Sequence, residues 1–310
     1  MARHRPLPLE LFLTIRSCIP LADIRTHVCL YNTHPRIAAL YDSESDSDDF
    51  WERVCWHSGV GALGKDDPEV EHCWRDIALE VIERDGFCKH PQCGEALLAY
   101  NARRIARAQN YIKPLSILLR WHVEGYPGVN GFPDNELDTL DGGENPPLTM
   151  HRALLRTAFR SKSSGMRDEA QLRPMTDAEE AYKGSVLLKD HPLLERSFAT
   201  DVPTSIIVLG QLARYEPCKG NVRRDTGVTV YDIMAGLHRQ LDEEFDDDDR
   251  RMIAEQMYAY GLPDGWTGVD AYVRFRTLRD LLAVCCIHKF WYHGSVIDGG
   301  PFVLLGLCGK

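Results

Sequence analysis

Along the first third of the chain apolar residues recur at steps of three and four, broken by prolines, and that spacing predicts a string of short amphipathic helices. Leu9, Phe12, Leu13 and Ser17 trace one face of a first helix, which opens at Pro8 and stops at Pro20. Proline suits an opening turn, where its missing N–H has no partner to lose, and ends a helix elsewhere. Leu21, Ile24, Val28 and Tyr31 mark a second helix from about Asp23 to Pro35, and Ile37, Ala38 and Leu40 a short third. The run Asp42–Asp49, DSESDSDD, is too acidic to pack and predicts an exposed loop. Phe50, Trp51, Val54 and Cys55 restart the apolar stripe. Further helices are expected over Glu69–Arg84, with Cys73, Ile77, Val81 and Ile82 inward and Gly86 as the stop, and over Glu95–Lys113, ended by Pro114. Another helical piece, Leu115–Val123, follows.

The pattern then changes. From Gly125 to Asn145 glycine, proline and acidic residues dominate without period, and only His151–Phe159 reads as a short helix before another polar stretch. Beyond it, Ser205–Leu209 has the apolar, β-branched character of a strand. Tyr231–Leu241 and Arg250–Tyr260 read as helices. Lys289–Ile297 and Pro301–Cys308 read as two strands joined at Asp298-Gly299-Gly300, the tight glycine turn that a hairpin requires. The expected fold class is α+β: an N-terminal all-α region over 1–60, a helical extension over 61–124, a loop-rich linker over 125–186, and a smaller mixed domain over 187–310 that ends in a β-hairpin.

Length and charge narrow the function classes. A chain of 310 residues has room for two cores. A formal charge of −10 argues against nucleic-acid binding, which needs a basic footprint. No apolar run approaches the ~20 residues of a membrane-spanning helix. The basic, then apolar, N-terminus is interrupted by Glu10, Thr14, Arg16 and Ser17, unlike a secretory signal. The 10 cysteines lack framework spacing, which fits free thiols in the cytoplasm or nucleus.

The succession Leu7-Pro8, Glu10, Ile15, Ile19-Pro20-Leu21, Asp23-Ile24, Val28-Cys29 and then Phe50-Trp51 resembles the F-box. It departs from that family at Asn32 and His34, where a tryptophan is usual, and in the acidic run before Trp51. The resemblance implies a docking partner rather than a reaction: a Skp-type adaptor and, through it, a cullin–RING ubiquitin ligase. Leu7, Pro8, Leu11, Ile15, Leu21 and Ile24 are the positions that would supply the apolar docking face, since some forty residues in three short helices bury little core alone. The later domain would then hold an unknown protein substrate. A second, fainter resemblance joins His191–Pro203, Gly227–Leu241 and His288–Leu307 to a C-terminal domain of unknown function common in mushroom-forming fungi. It implies a mixed α+β fold and a fungal source. Two other readings stay open: an interaction protein whose F-box-like helices pack only internally, and a zinc-stabilised module.

Chemistry-bearing groups are sparse. FCKHPQCG places Cys88, His90 and Cys93 together, with Cys55, His57, His72 or Cys73 as further candidates. Structural zinc needs four ligands, usually as two close pairs. No second pair is evident, so neither metal nor cofactor is expected. Cys285, Cys286, His288 and His293 stand among Phe290, Trp291 and Tyr292 and read as core. Arg103, Arg104 and Arg107 read as a solvated helix face, and Glu243, Glu244 and Asp246–Asp249 as the acidic lead-in to a helix rather than a calcium loop. With no phosphate loop, nucleophile elbow or metalloprotease helix, the expected protein is not an enzyme.

Overall fold

The computed structural model describes residues 8–43, 47–63, 73–111, 150–159, 170–174, 176–201, 203–204, 206–210, 217–260, 265–297 and 300–309. Helices dominate, and a small sheet completes a mixed α+β fold.

The N-terminal helices begin and end where the sequence chemistry requires. Helix α1 (Leu9–Cys18) follows Pro8 and carries Glu10 in its first turn and Arg16 in its last, each favourable to the helix dipole. Helix α2 (Ile24–Thr33) is capped by Asp23, whose carboxylate accepts the Thr26 N–H at 3.0 Å. Helix α3 (Pro35–Asp42) has proline in its first turn and His34 as its cap. Helix α4 (Ser47–His57) starts inside the expected acidic loop. Asp48 and Asp49 sit in its first turn, where carboxylates favour the helix, and Asp48 Oδ1 accepts the Trp74 N–H at 2.8 Å. Helices α5 (Trp74–Asp85) and α6 (Gly94–Tyr111) complete this half. The expected piece Leu115–Val123 and the stretch Gly125–Asn145 lie outside the described residues.

His151–Phe159 is not one helix. The buried His151 ring accepts the Ala153 N–H at 3.1 Å and caps a 3-10 turn, Arg152–Arg156. The chain then extends into β1 (Thr157–Phe159), which pairs antiparallel with β2 (Ala170–Leu172). After the short helix α7 (Asp177–Glu180) and a 3-10 turn at Leu188–Asp190 comes α8 (Pro192–Glu195).

Residues 191–201 form a buried strap that the sequence pattern did not reveal. Its backbone joins both halves: Gly61 N–H bonds to Arg196 O at 2.7 Å and Phe198 N–H to Gly59 O at 3.1 Å on one side, while Val230 N–H bonds to Ser197 O and Ala199 N–H to Val228 O on the other. The expected division at residue 187 therefore does not separate two cores; one apolar cluster runs from Ile24 and Trp51 through Leu97, Leu154 and Leu193 to Ile233 and Leu281. The physical reason is that HPLLERSFAT presents too mixed a surface to bury its apolar side chains without polar partners on both flanks.

In the C-terminal half β3 (Ile206–Gly210), β4 (Pro217–Arg223), β5 (Cys285–Ile297) and β6 (Gly300–Gly309) form a sheet of order β4-β3-β6-β5. The expected hairpin is present, with Tyr292 opposite Val303 and Ile297 opposite Gly300, while β3 runs parallel to β6. Helix α9 (Val230–Gln240) opens with a reciprocal Thr229–Asp232 capping box and lies close on the sheet, where a Cβ at Gly236 would stand 2.9 Å from Val222. Helices α10 (Asp247–Tyr260), α11 (Gly268–Arg274) and α12 (Leu278–Val284) follow. Among the described residues no helix is long and apolar enough to cross a membrane.

Candidate functional site

The surface expected to dock an adaptor is built on α1. Among the described residues this helix is held through Phe12, which packs against the core, and Arg16, which bonds to Leu40 O at 3.2 Å while its guanidinium lies over the Tyr41 and Phe50 rings. Leu11, Leu13 and Ile15 are 46 %, 43 % and 43 % exposed. Leu11, Ile15 and the exposed Cys18 fall at i, i+4 and i+7, so they form one stripe along the helix. Leu13 is thus not on the inward face that the sequence pattern assigned to it.

Of the six expected docking positions, Pro8, Leu11 and Ile15 are exposed, and Leu7 lies outside the described residues. Leu21 is partly buried against the core, and Ile24 is 0 % exposed. Ile24 is therefore corrected from docking residue to core residue. Helix α2 turns it inward with His27 and Val28, into the core cluster that also holds Tyr41, Phe50 and Trp51. In that cluster Trp51 is wholly buried and stacks on Tyr41 at 5.3 Å between centroids. His27 Nδ1 lies 3.2 Å from the Tyr41 hydroxyl, and burial holds its ring pKa down at about 4, against the raising influence of Asp23.

A second site forms between α5, the loop before α6 and the strap. The ligand atoms of Asp85, Cys88, Cys93 and His191 all lie within 4.8 Å of one another. Asp85 stands at the end of α5. The following loop folds back through Cys88 N–H to Asp85 O at 3.0 Å and Cys93 N–H to His90 O at 3.0 Å. Gly94 closes it with φ +53°, and a Cβ there would lie 2.3 Å from Cys88 O, so only glycine fits. His191 enters from the strap. Its Nδ1 is 3.5 Å from Asp85 Oδ1 and 3.9 Å from Cys88 Sγ, and its Nε2 is 2.9 Å from Ser185 O. Asp85 Oδ2 accepts the Leu193 N–H at 3.1 Å and the Cys93 thiol at 2.8 Å, and the His90 N–H points at Cys88 Sγ from 3.4 Å.

The electrostatics are those of a shared-proton cluster. Hydrogen bonding from Cys93 brings the Cys88 thiol down to about 6, overcoming its burial, while Cys93 is pushed far above the thiol range by its bond to Cys88, then by burial and the Asp85 carboxylate. Burial works to lower His191, but its bonds to Asp85 and Ser185 O outweigh that and raise it to about 9. Cys55, by contrast, is wholly buried and its thiol is pushed up by that burial, which makes it inert.

Sequence reasoning found half of this group. His90, the obvious third candidate, points elsewhere: its Nδ1 accepts the Gln92 N–H at 3.1 Å and its ring meets Tyr182 edge-on at 4.7 Å. Asp85 and His191 are not among the sequence candidates, because Asp85 falls between the expected helix end at Arg84 and its stop at Gly86, and His191 is distant in sequence. The proline after His191 was the available signal, since it opens a helical turn and fixes the ring just before it. Cys55 and Cys73 lie on other elements, as the α4 interior and the α5 cap, and His57 closes α4; none of them joins the group. His72 lies outside the described residues, as do the side chains of Cys285, Cys286, His288 and His293. Arg103 and Arg107 are exposed as expected, but Arg104 is buried and paired with Asp201 of the strap. The acidic group before Arg250 leads into α10, where Asp246 Oδ1 accepts the Asp249 N–H at 2.8 Å. No family model matches the chain, and neither a curated protein nor a solved structure matches it.

Proposed function

We propose that the chain is an F-box-type adaptor, docking through α1 on a Skp-type subunit of a cullin–RING ubiquitin ligase and presenting a protein substrate from its later half. One observation carries the reading: the exposed apolar stripe of Leu11, Ile15 and Cys18 on a helix that Phe12 and Arg16 fasten to a helical core. Two exposed aliphatic side chains and a thiol in one stripe of a ten-residue helix are a surface that a partner helix or groove covers with gain. The resemblance at Leu7-Pro8 and Val28-Cys29 names the partner class. Trp51 supports it by closing the core behind α2 and α3.

Co-expression with a Skp-type adaptor tests the reading. The full chain should elute with the adaptor, and Leu11→Ala with Ile15→Ala should weaken binding by about 1–2 kcal/mol for each truncation, roughly five- to thirty-fold apiece. Unchanged circular dichroism would show the variants folded. A full chain that forms no complex, where a known F-box does, ends the proposal.

A further inference from the structure

Asp85, Cys88 and Cys93 belong to one loop and His191 to the buried strap, and nothing in the docking function above accounts for their meeting. We propose that these four side chains are a structural zinc site that fastens the loop between α5 and α6 to the strap. Zinc bonds of about 2.0–2.3 Å at tetrahedral angles set neighbouring ligand atoms about 3.3–3.8 Å apart. Asp85 Oδ1 to His191 Nδ1 at 3.5 Å falls on that edge, Cys88 Sγ to His191 Nδ1 at 3.9 Å lies just above it, and the whole set spans no more than 4.8 Å.

The surroundings are arranged for a cation. In neutral His191, Nε2–H donates to Ser185 O at 2.9 Å, which leaves the Nδ1 lone pair facing the other three groups. The Leu193 N–H fixes Asp85 Oδ2, and the His90 N–H supports negative charge on Cys88 Sγ. Asp85, Cys93 and His191 are 1 %, 0 % and 2 % exposed, so three of the four ligand groups are gathered in the core, where a buried carboxylate takes either the His191 cation or a metal ion as its partner. Two sulfurs and an imidazole select zinc over magnesium or calcium, and four protein ligands leave no open position, so the role is structural rather than catalytic. Binding releases to solvent the protons held by the Cys88 and Cys93 thiols and by His191 Nδ1, with no change of oxidation state.

The site is independent of adaptor docking, so either reading survives failure of the other. The full chain, expressed with added zinc and purified without chelator, should contain about one zinc per chain by elemental analysis. Exchange of that metal for cobalt should give visible d–d bands of tetrahedral intensity and near-ultraviolet sulfur-to-cobalt charge transfer. Zinc content should fall to near zero in Cys88→Ser/Cys93→Ser and in His191→Ala, and persist in His90→Ala. Should the ligand variants fail to fold, the cobalt spectrum of the unaltered chain decides. Zinc-free protein with no such spectrum overturns the proposal, as does a Cys88–Cys93 disulfide in zinc-supplied protein or full zinc retention in the double variant.

Discussion

Ile15 and Ile24 carry the same side chain, and only their surroundings separate them: one is 43 % exposed and the other fully enclosed. Truncating Ile24 to alanine leaves a cavity in the core and should cost about 2–5 kcal/mol in denaturant unfolding, whereas Ile15→Ala should stay within about 0.5 kcal/mol. Equal losses from the two would mean that α1 is packed on both sides. His27 makes the same region pH-sensitive. Its folded pKa of about 4 lies below the ordinary 6.5, so between those values the unfolded chain takes up a proton that the folded chain refuses. This contribution is complete above pH 6.5 and is lost as pH falls through the window to 4. Stability of the unaltered chain should therefore decline across that window, and His27→Gln should flatten the decline; a slope unchanged by the substitution would place its cause in other groups.

At the scale of elements, α6 shows how a polar face becomes an anchor. Arg104 lies between the exposed Arg103 and Arg107 in sequence, yet it pairs with Asp201 and bonds to Phe198 O at 3.2 Å, while Asn101 Nδ2, one turn earlier, reaches Ser197 Oγ at 2.8 Å. Arg104→Ala removes the cation from a buried pair and should cost about 3–5 kcal/mol, against little for Arg103→Ala, both read from chemical denaturation. The sequence held the helix but not this contact. Periodicity reports which residues share a face, and α1, α2, α3, α6, α9 and the β5–β6 hairpin follow from it because each is decided by local spacing, proline stops and turn glycines. What covers that face is decided by chain segments far away. Leu193 and Asp85, 108 residues apart, meet because the strap threads between the halves, and no local pattern encodes that distance. The same limit hid half of the candidate zinc ligands: Cys88 and Cys93 are legible as a pair, while Asp85 and His191 acquire meaning only when α5 and the strap are side by side.

For the whole molecule, the strap is hydrogen-bonded to both halves, an arrangement that predicts one thermodynamic body. The chain from His191 to Asp201 is buried throughout, pairing with Val60 through Ser197 on one side and with Thr229 through Phe198 on the other. Removing everything from Leu187 onward would strip α5 and α6 of the groups that satisfy Asp85, Asn101 and Arg104 and expose the apolar wall around Leu97 and Val81. Buried polar groups left without partners cost about 1–3 kcal/mol each, and several such losses together match the ~5–15 kcal/mol by which a domain is stable at all. A fragment of residues 1–186 should accordingly lack a cooperative thermal transition, while the full chain should unfold in one, with near- and far-ultraviolet circular dichroism coinciding. Two resolved transitions in the full chain, or a folded 1–186 fragment, would mean that the strap bridges two self-sufficient cores. If the single transition holds, the exposed stripe on α1 and the sheet-bearing half are parts of one framework, and under the proposed adaptor function a substrate held by the latter would be presented at a fixed distance from the ligase.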